Sequence, residues 1–460
     1  MEHQYGQVVS GLPEAAVATQ QEGDGSVPRT GLKWVNVAGL GVAFAVSGNF
    51  SGWNMGLGIG GWGGMLLAAL LMACFYLCLV QCVAELAAAC PVEADGMDSF
   101  AAIGLGNGGR FFAGISIAMA VSMCVGVGAS FIQAYCLSVF GVGGSLFKIA
   151  LIAAFVLFQL RGAREAVFLT TVGGFFSVAV LVFFCAAMVP GFSLAALYSH
   201  HDGVATLLPN GIRGALECIP YALFMFLGVE QAANAAGDMH EPSKHLPKAI
   251  FAAVGTVVTI GISVLIFAAG GGVERVAAAD GNPLFVAVAG AKFAGATGGI
   301  ETAVGIGSIV SLLSTAFSLV YAASRQFFSL AKGGFLHGGL ARLNKRDVPS
   351  NALWLVAALA VLGAQMDADT VLVCFIFCLN ICNLLVLLSF LRARAAQPGL
   401  ARPYRAIGGR VSAGIAGVLA LAVMAACVQL QPAALEYVAL GYGLCAVYYL
   451  VRRPRLRSAQ

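Results

Sequence analysis

The chain is 460 residues long, 60% hydrophobic and only 10% charged, with a mean hydropathy of +0.89. A soluble domain carries about 25% charged residues, so there is too little polar surface here to coat a water-soluble fold of this size. The net charge of +4 is small, and its placement along the chain reports orientation in a membrane rather than nucleic-acid binding.

Residues 1–33 are polar, with Gln4, Gln20, Gln21, Glu22 and Asp24, and read as a disordered cytoplasmic tail with no secretory signal. Twelve apolar runs follow, at 34–58, 62–89, 111–140, 146–160, 167–190, 212–237, 247–270, 299–324, 350–366, 369–391, 411–430 and 433–451. A membrane-crossing helix needs about 20 such residues. The runs at 146–160 and 350–366 are short and read as partly embedded. All exceed the roughly ten-residue alternating strands of a membrane barrel. The expected fold class is therefore an all-α membrane protein of about 12 transmembrane helices.

Lys and Arg collect in cytoplasmic loops. With the N-terminus inside, the inner segments hold 21 of these residues, and the outer segments hold only Lys148, Arg213, Arg275 and Lys292. One missed span would scramble that split. Both termini, including the tail at 452–460, are expected in the cytoplasm of a cell whose plasma membrane the protein crosses.

The 13 cysteines are scattered through the spans. Cys74, Cys78 and Cys82 form one helical stripe, and Cys374, Cys378 and Cys382 form another. Neither trio has a CxxC spacing or a histidine partner, so small-residue packing is expected rather than a metal. No cofactor is expected.

Two runs contain residues a helix does not favour. The first reads "AVSGNFSGWNMG", placing Ser47, Gly48, Asn49, Ser51 and Gly52 in mid-span. The sixth reads "IPYALFMFLGVEQAANAAGD", with Gly228 followed by Glu230. These are the leading spans of two five-helix units, 34–190 and 212–391, with 411–451 left as two additional helices. Matched interruptions at corresponding positions are the signature of an inverted-repeat transporter. Unwinding frees backbone amides and carbonyls that a ligand, water or side chain must satisfy. Glu230 is an acidic residue at bilayer depth, which usually marks a pathway. The competing reading is a protonated glutamic acid packed against a neighbouring helix. No Lys, Arg or His falls within the interior of any expected span, so Glu230 should have no obvious protein counter-ion. Phe224, Phe226 and Trp53 are candidates to stack over a substrate cation or to pack. Glu217 reads as interfacial and Glu85 as a gate or structural residue.

At these residues the chain resembles the amino acid–polyamine–organocation transporters. The resemblance rests on "SGNFSG" in span one and "FMFLGVEQAANAAGDMHEPSKHLPKAI" in span six, with Glu241, Pro242 and Pro247. It also rests on Ala84, Glu85 and Leu86 before Pro91, on "SRQFFSLAKGG" at 324–334 and on "RPYR" at 402–405. It covers roughly 34–451 and implies a 5+5 inverted repeat with broken helices one and six. "SGWNMGLGIGGWGG" at 51–64 looks most like the ethanolamine-permease branch. Many amino-acid members carry Gly-Ser-Gly after the first break, whose amides hold a substrate carboxylate. Here Gly52, Trp53 and Asn54 stand there, which favours a substrate without one. The family's glycine-rich stretch after span two is replaced by "PVEADGMDSF". In sodium-coupled relatives a Ser/Thr pair in helix eight binds the ion, which makes Ser311, Ser314 and Thr315 candidates. Hydroxyls bonded back to their own helix are the alternative. A helix-five lysine, used by some proton-coupled relatives, is missing from 167–190. The coupling ion is left open between H+ and Na+.

The expected function is secondary transport, by alternating access, of a small organic amine such as ethanolamine. An amino-acid or polyamine permease and a non-transporting nutrient sensor of the same fold are the alternatives.

Overall fold

The computed structural model describes residues 33–90, 96–161, 164–201, 204–230, 242–291 and 298–458. The tail before Lys33, Glu93 and Asp95 of the segment after span two, the 231–237 end of span six, and Glu241 lie outside the described residues.

Among the described residues there are fifteen α-helices and one short hairpin. In chain order the helices are α1 (Trp34–Ala45), α2 (Trp53–Ala89), α3 (Met97–Phe140), α4 (Ser145–Gln159), α5 (Arg164–Met188), α6 (Gly211–Glu217), α7 (Ile219–Phe226) and α8 (Pro242–Ala268). They continue as α9 (Val273–Ala277), α10 (Pro283–Gly290), α11 (Gly298–Lys332), α12 (Ser350–Gln365), α13 (Ala368–Ala396), α14 (Arg410–Leu430) and α15 (Pro432–Ser458). Between α5 and α6, β1 (Ser199–His201) pairs antiparallel with β2 (Val204–Thr206).

Eight helices are long and apolar enough to cross a membrane. The four expected spans that do not meet this measure have identifiable reasons. Spans one and six are split, leaving pieces of 12 residues (α1) and 8 residues (α7). Spans four and nine are the 15-residue α4 and the 16-residue α12, which at 1.5 Å per residue reach only about 22–24 Å.

Two helices run past their expected bounds through a single non-helical glycine. The second half of span one and all of span two are continuous in α2, with a single non-helical residue, Gly61 (φ 67°, ψ −173°), between them. Similarly, α3 begins at Met97 rather than near 111, because Gly106 (φ 65°, ψ −157°) joins a short leading piece to the span. An ion pair between Arg110 Nε and Asp98, 3.4 Å long, ties that piece back.

Lipid tails are as apolar as leucine, so helices in a membrane associate by close packing of small residues. The centre of the molecule follows this rule: α3 packs most extensively on α13 and α11. The Gly104 amide donates to Ser389 Oγ at 2.8 Å, and that hydroxyl donates to Phe100 O at 2.6 Å. The outer surface carries exposed Val411, Leu440, Leu444 and Val447, as a lipid-facing wall requires.

Candidate functional site

The first interruption follows the weak helix formers closely. After Ala45 the chain tightens into a 3₁₀ turn over Val46–Asn49, then turns through Phe50–Gly52 before α2 starts at Trp53. Most of its polar groups are bonded within the break or to neighbouring elements, but the buried Asn49 Oδ1 has no partner among the described residues. Asn49 Nδ2 donates to Val46 O (3.3 Å) and across to Met225 O (3.2 Å). Trp53 Nε1 donates to Asn49 O at 3.0 Å, Tyr135 Oη to Phe50 O at 2.8 Å, and Ser51 Oγ to Gly281 O at 2.6 Å. The Gly52 amide donates to Asn54 Oδ1 at 3.2 Å.

The second interruption follows α7. Leu227 is extended (ψ 135°) and Gly228 takes φ 98°. The Gly228 amide then donates to Glu230 Oε2 at 3.0 Å, so the acidic side chain caps its own break. The two breaks meet backbone to backbone: a Cβ on Gly48 would lie 2.2 Å from the Phe224 carbonyl oxygen. Only glycine permits that approach.

A cavity of about 440 Å³ opens where the breaks meet. Of the residues singled out from the sequence, Ser47, Gly48, Phe224, Gly228, Glu230 and Thr315 line it. Asn49, Ser51, Gly52, Trp53 and Phe226 do not; they hold the breaks in shape from behind. The Trp53 indole is fully buried with its N–H bonded to Asn49, and the buried Phe226 packs edge-on to Tyr76 at 6.5 Å. Of the three aromatics considered for cation stacking, Phe224 alone faces the cavity.

In α11, Ser311 Oγ donates to Gly307 O (2.8 Å) and Thr315 Oγ1 to Ser311 O (3.2 Å), the helix-internal bonding that competes with ion coordination. Ser314 sits against the backbone of Gly173 in α5. Glu85 is elsewhere, at the far end of α2. Its carboxylate accepts from Arg394 Nε (2.8 Å), Arg394 Nη2 (2.5 Å) and the Ala406 amide (2.7 Å), with Arg402 Nε at 3.3 Å.

One expectation needs correction. The cavity does contain basic side chains: Arg325 and Lys332 line it together with Glu230. The expected eighth span stopped at residue 324, but α11 runs on to Lys332 as one unbroken helix and carries both cations along the cavity wall. Phe131 and Phe375 were also missed. They flank Phe224 at centroid distances of 6.5 and 5.8 Å and make an aromatic wall with it. Nothing distinguishes these two phenylalanines from the other 28 in the sequence. The Arg325 signal was available, one position past the assumed end of a span.

Among the described residues, the chemistry on offer is thus a partly enclosed chamber with one carboxylate, an aromatic wall, hydroxyls from Ser47, Thr315 and Ser329, and two cations. Chambers of this size suit small molecules. Comparison with known proteins agrees with this architecture. The amino-acid permease RocC of Bacillus subtilis is 26% identical over 375 residues, 75% of each chain. RocE of the same organism, also an amino-acid permease, is 27% identical over 56% of this chain and 48% of its own length. The methylthioribose transporter of Bacillus subtilis is 25% identical over 44% of this chain and 41% of its own. The amino acid permease family model matches residues 32–445, nearly the whole described chain, and the protein therefore belongs to the amino acid permease family of the amino acid–polyamine–organocation superfamily, as an integral membrane permease.

Proposed function

We propose that the protein transports a small organic amine such as ethanolamine by alternating access, with Glu230 as the partner of the substrate ammonium. The observation that carries this reading is the state of the first break. Where a permease of amino acids needs amides for a carboxylate, the Gly52 amide is already bonded to Asn54 Oδ1, and the Phe224 ring covers Gly52 so closely that a Cβ there would sit 2.8 Å from it. Asn54 is held in place by its own bond to Ala279 O at 2.8 Å. Carboxylate capture by the Gly52 amide is therefore disfavoured by its occupied donor, not by the bulk of Trp53, which does not line the cavity. The acidic lining residue, Glu230, offers a cation its charge.

An amino-acid substrate is the second reading. Arg325 in the cavity wall favours it by providing a cation for a carboxylate, and RocC and RocE are named as permeases of amino acids. Competition against labelled ethanolamine in proteoliposomes separates the two. Under the amine reading, unlabelled ethanolamine outcompetes alanine, putrescine and acidic or basic amino acids. Strong competition by alanine, with none by ethanolamine, transfers the assignment to the amino-acid reading. The positive-inside split supports an orientation with both termini in the cytoplasm, and tags accessible from outside intact cells would overturn it. The coupling ion, H+ or Na+, follows from whether a sodium or a pH gradient drives uptake.

A further inference from the structure

A second concavity, about 260 Å³, lies away from the transport chamber and is lined by Arg394, Pro398, Arg402, Arg405 and Arg410. Among the described residues that line it, four of five carry a guanidinium and none is a carboxylate. Arg394 and Arg402 are held in place: both pair with Glu85, and Arg402 also donates to the Leu400, Ala393 and Gln397 carbonyls. Gly409, at φ 52°, leaves the space that the Arg394 guanidinium occupies; a Cβ there would lie 2.3 Å from Nη1. Arg405 and Arg410 are different. Both are exposed, and neither makes a hydrogen bond or ion pair with any described residue. Arg410 also opens the 21-residue α14, so its charge adds to the positive end of that helix instead of offsetting it. Two unpaired guanidinium groups beside two ordered ones are an unbalanced arrangement that a multivalent oxyanion completes, since the planar fork of arginine matches phosphate geometry.

We propose that this pocket binds the phosphate of an anionic phospholipid. The neighbouring surface selects the lipid over a soluble anion. Ile407 (68% exposed) lies in sequence between the lining residues Arg405 and Arg410, and Val411 (67%), Ile415 (43%) and Val418 (68%) follow along one face of α14. Their i, i+4, i+7 spacing makes a single apolar stripe, directed into the membrane from the basic rim, where acyl chains attached to a bound phosphate would lie. Basic pockets at the membrane face are a recognised way of holding anionic head groups.

The test uses the purified full chain, with binding of phosphatidylglycerol and phosphatidylcholine read by native mass spectrometry and by lipid-dependent thermal shift. Phosphatidylglycerol should be retained over phosphatidylcholine. The double variant Arg405→Gln/Arg410→Gln should weaken its retention at least fivefold, leaving the Glu85 cluster intact. Arg392→Gln, an exposed arginine on α13 outside the pocket, should change retention less than twofold. Equal loss in Arg392→Gln would reduce the effect to a diffuse surface potential and overturn the pocket. Inorganic phosphate is the third arm: displacement of the lipid by phosphate at equal concentration would make this a soluble-anion site and overturn the lipid assignment. Equal retention of both lipids would do the same.

Discussion

Two buried carboxylates, Glu85 and Glu230, sit 1% and 2% exposed in the same protein and do opposite things with their charge. Glu85 is saturated: two guanidinium groups and a backbone amide converge on it, closing the far end of α2 against the segment between α13 and α14. Glu230 caps a turn with one oxygen and lines a chamber large enough for a solute. A carboxylate enclosed by cations belongs to the scaffold. One that borders a chamber can exchange its interactions with a passing ligand. Burial alone does not separate the two; what each carboxylate faces does.

The comparison is broken most severely at Glu85. Removing one member of a buried ion pair costs about 3–5 kcal/mol, because the remaining charges are left uncompensated. Glu85→Ala should therefore lower the unfolding midpoint in detergent and reduce the yield of folded protein. Glu230→Gln, unfolded in parallel, should retain a midpoint near that of the parent. A Glu85→Ala protein as stable as the parent would remove the scaffold half of the contrast.

The next largest effect is on transport. A charge-assisted contact is worth about 1.5–3 kcal/mol, so Glu230→Gln should depress uptake or apparent affinity by roughly tenfold to a hundredfold. Uptake at matched surface expression across a range of pH is the measurement. Normal uptake with unchanged pH dependence would leave Glu230 as packing.

Asn54→Ala sharpens the comparison at the first break. It releases the Gly52 amide that Asn54 now occupies. One hydrogen bond contributes about 0.5–1.5 kcal/mol net, so alanine should compete with ethanolamine roughly threefold to tenfold better in the variant. An unchanged competition ratio would show that the amide plays no part in excluding carboxylates.

The smallest effect is expected at Glu217, whose pairing with Arg213 at 2.9 Å involves a partner 85% exposed. Surface pairs contribute about 0–1 kcal/mol. Glu217→Gln should change uptake less than about twofold, which makes it the control for loss of an acidic side chain from the same span.

Much of this was legible in the sequence because it is local. Ser47, Gly48 and Asn49 mark the first break by their own conformational preferences, and Gly228 marks the second. The chamber was less legible. Arg325 escaped because a hydropathy window ends a span where charge begins, while the hydrogen bonds of α11 continue regardless. The Glu85 cluster depends on partners 309 and 321 residues away in sequence, Arg394 and the Ala406 amide among them, and Asn54 acts through a side-chain bond to a backbone amide. Neither leaves a periodic trace, and Trp53, the conspicuous residue of that stretch, turns its ring out of the site.

The close seam at Gly48 has a practical corollary for anyone wishing to redirect this permease to another solute. Even the smallest added side chain would sit 2.2 Å from the carbonyl oxygen of Phe224, so that position admits a one-letter alphabet and is useless as a tuning point. Randomised libraries are better spent on Ser47, Thr315 and Phe131. These border the chamber through side chains, and their size and polarity can be altered without prising the two half-helices apart.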